Sequence, residues 1–68
     1  MKEIRERIRT LRKVKGYSQL YMSQQLHISQ RAYSSLENGH TKISLIRAVQ
    51  IAKILEVSMD ALTKDIVV

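Results

Sequence analysis

Apolar residues recur along this chain at helical spacings, and β-branched runs are few, which argues for helices throughout. In residues 2–15, Ile4, Ile8 and Leu11 fall at i, i+4 and i+7 on one stripe. Arg5, Arg9 and Arg12 repeat that spacing about 100° around the same helix. Gly16 offers a left-handed stop. Ser18 then predicts an N-cap for a second helix, Gln19 to Leu26, with a less regular apolar set of Leu20, Met22 and Leu26. His27-Ile28 forms a break, Ser29 caps a third helix from Gln30 to Asn38, and Gly39 ends it. Ser44 opens a fourth helix from Leu45 to near Leu55, and Ser58 a fifth from Met59 to near Lys64. With no proline and only two glycines, nothing in the composition interrupts this all-α reading. The connections are too short for a linker, so residues 1–68 are expected to form a single domain.

The third helix carries the chemistry. On a wheel stepping about 100° per residue, Ala32, Leu36 and Tyr33 fall near 200°, 240° and 300°, an apolar arc expected to face the core. Gln30, Arg31, Ser34, Ser35 and Asn38 occupy the opposite arc, roughly 0° to 140°. That arc is all amide, guanidinium and hydroxyl. Such groups match base edges: Arg can be bidentate to guanine, Gln to adenine, and Ser can pair with either. Residues 18–38 have the dimensions of a helix-turn-helix unit, whose second helix meets the bases of a major groove. In the fourth helix, Leu45, Ala48, Val49, Ile51, Ala52 and Leu55 share one apolar arc. Ile46 and Ile54 lie outside it and, with the tail Ile66-Val67-Val68, form a candidate self-complementary surface.

Charge sharpens the picture without deciding it. The chain carries a net +6, and residues 1–42 hold nine Lys or Arg against three acids, whereas 43–68 hold three of each. One basic half joined to a neutral half suits a polyanion, although a basic surface that only aids solubility explains the same count. A chain with no cysteine has neither disulfide nor thiolate metal site, which fits a reducing, cytoplasmic setting. No apolar run has the length of a membrane span, and the first residues lack a signal-peptide core. His27 and His40, without carboxylate support, make no metal site. Neither a phosphate loop nor an acid pair in an apolar context is present, so no catalysis and no cofactor are expected. Tyr33 is assigned to the core and Tyr17 to the end of the first helix; Tyr21 is left to a phosphate or a protein partner. Arg5 and Arg9 either reach DNA or only solvate the first helix.

The blocks IRTLRKVKGYSQ (8–19), ISQRAYSSLENG (28–39) and SLIRAVQIAKILEVSMDAL (44–62) agree in order and spacing with one known pattern. The chain resembles the phage Cro and repressor type of helix-turn-helix domain, also called the xenobiotic-response-element family. The resemblance implies a compact five-helix bundle of the lambda-repressor-like type, binding double-stranded DNA as a transcription regulator, usually as a homodimer on an inverted-repeat operator. It implies base reading by Gln30, Arg31 and Ser35 with Ser34 beside them. It implies phosphate contacts from Gln19, Asn38, His40, Thr41 and Lys42, and a structural salt bridge between Arg12 and Glu37. His27 and Glu56 stand where that family commonly has glycine, and Leu20 and Tyr21 where it usually has acids. Two other readings compete. An antitoxin-like module would neutralise a partner protein through Ile46, Ile54 and the tail while also binding its own operator. Membrane-surface binding by the first helix is weakened by Glu3 and Glu6 and by the absence of Trp and Phe.

Overall fold

A computed structural model describes residues 2–64, and three serines in it open three helices by the same device. Ser18, Ser29 and Ser44 each hold an extended backbone while the Oγ accepts the N–H of Tyr21, Ala32 and Arg47, at 2.9, 3.0 and 3.1 Å. Each such cap satisfies an amide that the helix cannot and is worth roughly 1 kcal/mol. The elements that result are α1 (Lys2–Lys15), α2 (Gln19–Gln25), α3 (Gln30–Asn38), α4 (Leu45–Leu55) and α5 (Met59–Thr63). Ser58 departs from the expected cap. Its backbone is extended, but its side chain accepts nothing, because the Ala61 N–H goes to the Ser58 carbonyl at 3.0 Å instead.

Among the described residues, four turn the chain through the left-handed region. Gly16 and Gly39 have φ of +76° and +83°, and His27 and Glu56 have +58° and +59°. The two glycines adopt that conformation at no steric cost, whereas His27 and Glu56 carry a Cβ that crowds the following carbonyl. His27→Gly and Glu56→Gly are therefore each expected to raise stability by about 0.5–1 kcal/mol, after the extra chain entropy of glycine is subtracted. Glu56 faces Lys15 at 3.6 Å on the exposed surface, a pair too solvated to reverse that sign. Chemical denaturation of the two variants checks this, and a loss of stability in both would contradict it.

The core forms where α1 meets α3, α4 and α5, with α2 closing over α3 and α4. Ile4 and Ile8 of α1, Met22 and Leu26 of α2, Tyr33 and Leu36 of α3, Ile51 and Leu55 of α4 and Leu62 of α5 converge there. The wheel needs two corrections. Ala32 is exposed, and Glu37 takes the buried place beside Tyr33 and Leu36, so the inward arc of α3 is centred further round than its apolar residues alone suggest. Leu45 is 74% exposed, because the neighbouring helices cover α4 only from Ala48 onward. Ile54, assigned to the outside, is half-buried and packs against the core.

Candidate nucleic-acid interface

A rigid turn sets the angle between α2 and α3. The N–H groups of Leu26, His27 and Ile28 bond back to the carbonyls of Met22, Gln24 and Ser23, and the buried Ser23 hydroxyl donates to the Leu20 carbonyl at 2.7 Å. From that turn α3 presents Gln30, Arg31 and Asn38 to solvent, with Ser34 and Ser35 half-buried between them. Asn38 Nδ2 donates to Ser34 Oγ at 3.2 Å along the exposed face. Nine residues rising 1.5 Å each give a helix of about 13 Å. A major groove about 12 Å wide admits one such helix with its side chains.

Beneath this face lies a buried charge centre. Glu37 is 2% exposed, and its carboxylate accepts from Arg12 Nε at 2.6 Å and from Arg12 Nη2 at 3.2 Å, a two-point pairing. Arg9 adds a contact to the same carboxylate at 3.4 Å and another to the Glu37 carbonyl at 3.0 Å. Gln19 Nε2 donates to the carboxylate at 3.4 Å, so one N–H of its amide points inward. Burial by itself would raise the Glu37 carboxyl. The hydrogen bonds from Arg12 and the neighbouring positive charge outweigh it, and the group ends below its ordinary value. Arg12 in turn is raised, chiefly by its bond to Glu37. The Tyr33 hydroxyl is buried beside this pair, yet has no hydrogen bond of standard geometry among the described residues. Burial first, and then the Glu37 charge, push the phenol well above its usual value, so Tyr33 stays neutral.

The loop after α3 is held by a single carbonyl. Ser35 O accepts from the N–H groups of Gly39, His40 and Thr41, so the last two can donate to a ligand only through their side chains. His40, Thr41 and Lys42 are all exposed there. Arg5 lies across the end of α3, close enough that a Cβ on Gly39 would stand 2.8 Å from its guanidinium carbon.

The basic half of the chain is thus redistributed by folding. Arg9 and Arg12 turn to Glu37, Lys15 faces Glu56, and Arg7 donates to the Leu62 carbonyl at 3.4 Å. Among the described residues Arg31 and Lys42 have no carboxylate partner and stand on α3 and its loop, while Arg5, Lys13, Arg47, Lys53 and Lys64 are likewise unpaired with an acid elsewhere on the surface. Sequence reasoning left Arg9 open, although the signal was present: Arg9 and Arg12 are three apart on one helix face and can share one acid. It also passed over Arg47. The tilt of side chains toward a helix N-terminus points a residue in the first turn of α4 back toward the 41–44 loop. Tyr17 and Tyr21 pack against one another with their rings tilted by 38° and ring centres 4.4 Å apart. Ile46 is 73% exposed, while Ile66, Val67 and Val68 lie outside the described residues.

Among the described residues no helix is long and apolar enough to cross a membrane. A family model described as helix-turn-helix matches residues 8–62 and supports DNA binding of the transcription-regulator type. Neither a comparison with curated proteins nor one with solved structures finds a match.

Proposed function

The chain belongs to the helix-turn-helix family, and from that premise we propose that it is a small cytoplasmic transcription regulator of the Cro and repressor type, reading a specific duplex sequence with α3. The observation that carries this reading is the exposed face of α3, on which Gln30, Arg31, Ser34 and Ser35 stand without an acid among them. Gln30 and Arg31, at the N-terminal end of the helix, read base edges, and the two serines read or pack beside them. Asn38, His40, Thr41 and Lys42 grip the backbone next to that helix. Gln19 joins them through the second N–H of its amide, the first being given to Glu37. Arg12 and Glu37 serve the structure instead, fixing α1 to α3 so that the reading face is presented at one angle. Two copies bind an inverted repeat, and the exposed pair Leu45 and Ile46 at the start of α4 is the surface through which they meet.

Selection of bound sites from random duplex DNA tests the reading. The wild type is expected to yield a short motif. Arg31→Ala should cost about 1–3 kcal/mol at that motif and relax it at one base pair, whereas Lys42→Ala should weaken all sequences about equally. An identical motif and affinity for both variants and the wild type would remove the assignment of the reading face.

A further inference from the structure

A cleft of about 270 Å³ is lined by both Lys42 and Arg47, with Thr41 and Ser44 from the same stretch of chain and Ile28, Ala32, Ser35 and Leu36 from α3 and the turn before it. No carboxylate lines this cleft. The setting differs from that of Arg9, Arg12 and Lys15, each of which faces a glutamate. Arg47 is half-buried, and its one side-chain hydrogen bond goes to the neutral Gln50, at 3.0 Å on the exposed surface. A solvated bond of that kind is worth little and is easily exchanged. Two cations drawn to one cleft without a counter-charge repel each other, and an anion between them relieves that repulsion.

The shape identifies the anion. The cleft lies beside α3, with Ser35 of the proposed reading face among its lining residues, so a strand bordering a major groove that holds α3 would run past it. The methyl of Ala32 is small enough for a strand to approach. The apolar residues Ile28 and Ala32 suit a sugar, and the two cations suit the phosphate attached to it. We propose that Lys42 and Arg47 together seat one backbone phosphate of the bound duplex, with Arg47 releasing Gln50 to reach it. Arg47 is then a DNA-anchoring residue on the side of α3 opposite Gln19, so the reading helix is held to the backbone from both flanks. This inference rests on the DNA-binding reading above.

The test uses the full chain and a mixed-sequence duplex of about 20 base pairs, since a phosphate contact needs no particular sequence. Affinity is measured by fluorescence anisotropy as salt rises from about 50 to about 200 mM for the wild type, Arg47→Gln, Ala32→Leu and Lys53→Gln. Loss of one phosphate contact lowers the log–log salt slope by about 0.9, so the advantage of the wild type over Arg47→Gln should shrink about 3.5-fold across that range. Ala32→Leu fills the cleft at constant charge and should also flatten the slope. Lys53, an exposed cation on α4 that does not line the cleft, serves as the control and should leave the slope unchanged. Thermal melts of all four proteins confirm that they are folded. An Arg47→Gln slope equal to that of the wild type overturns the proposal, as does an equal drop for Lys53→Gln. A wild type with no salt-dependent binding would instead sink the DNA-binding reading itself, a result separable from either.

Discussion

Arg12→Ala is expected to destabilise the fold by about 3 kcal/mol, the lower end of the range for breaking a buried ion pair. The cause is the carboxylate left behind. The Glu37 side chain is 1% exposed, and without Arg12 its remaining donors are Arg9 and Gln19, both at 3.4 Å. Arg12 is itself 11% exposed, so its guanidinium reaches solvent more easily when Glu37 is the partner removed. Glu37→Gln should accordingly cost less than Arg12→Ala. Replacing both residues by apolar ones, as in Arg12→Met with Glu37→Leu, should recover most of the loss, because two desolvated charges disappear together. The same pair predicts acid sensitivity. Glu37 in the fold titrates below its ordinary value of 4.5, so its contribution is complete above that value and is lost as pH falls through the depressed one. The wild type should therefore lose melting temperature steeply on acidification below about pH 4.5, and Glu37→Gln should lose much less. Denaturant titrations at neutral and acid pH check both statements. Unchanged stability of Arg12→Ala with lost duplex affinity would make Arg12 a DNA contact instead.

The sequence exposed the helices well because each boundary is a local event. A serine cap, a glycine stop and an apolar spacing act within one turn, and Ser18, Ser29, Ser44, Gly16 and Gly39 all sit where those devices require. The left-handed turns at His27 and Glu56 had no residue signal of their own and were suggested only by the resemblance. What depended on neighbours was harder to read. Ala32 and Leu45 are apolar and fall near the inward arcs, but burial requires a facing helix, and none covers either position. Glu37 is the reverse case. A charged side chain on the inward arc looks misplaced on a hydrophobicity wheel until Arg9, Arg12 and Gln19 are brought to it from two other elements. The candidate reading face was legible because solvent exposure and polarity coincide on α3. The destination of the basic residues was not, since a charge count cannot tell a cation facing DNA from one spent on an internal glutamate.

Deleting one half of the selected operator is expected to weaken binding by about 10²–10⁴-fold, the gain that a second linked module gives over one alone. A single α3 offers few base contacts, and the proposed pairing of two copies would add selectivity by placing two reading helices one duplex turn apart, about 34 Å. Among the described residues the surface proposed for pairing is small: Leu45 and Ile46 are exposed at the start of α4, and Ile54 is half-buried against the core. Two aliphatic side chains from each copy bury far less than the roughly 1,200 Å² of a stable interface. The free protein should therefore sediment as a monomer at micromolar concentration and pair only when both half-sites are present. This arrangement makes operator binding cooperative. Leu45→Gln combined with Ile46→Gln leaves the net charge and the reading face untouched. It should abolish that cooperativity, reducing affinity for the full operator towards that of one half-site while affinity for an isolated half-site stays the same. Sedimentation of wild type and variant, with the full operator and with one half, gives the decision. A wild type that saturates the inverted repeat as a single copy, or a double variant that binds it as tightly as the wild type, would show that α4 does not join two copies.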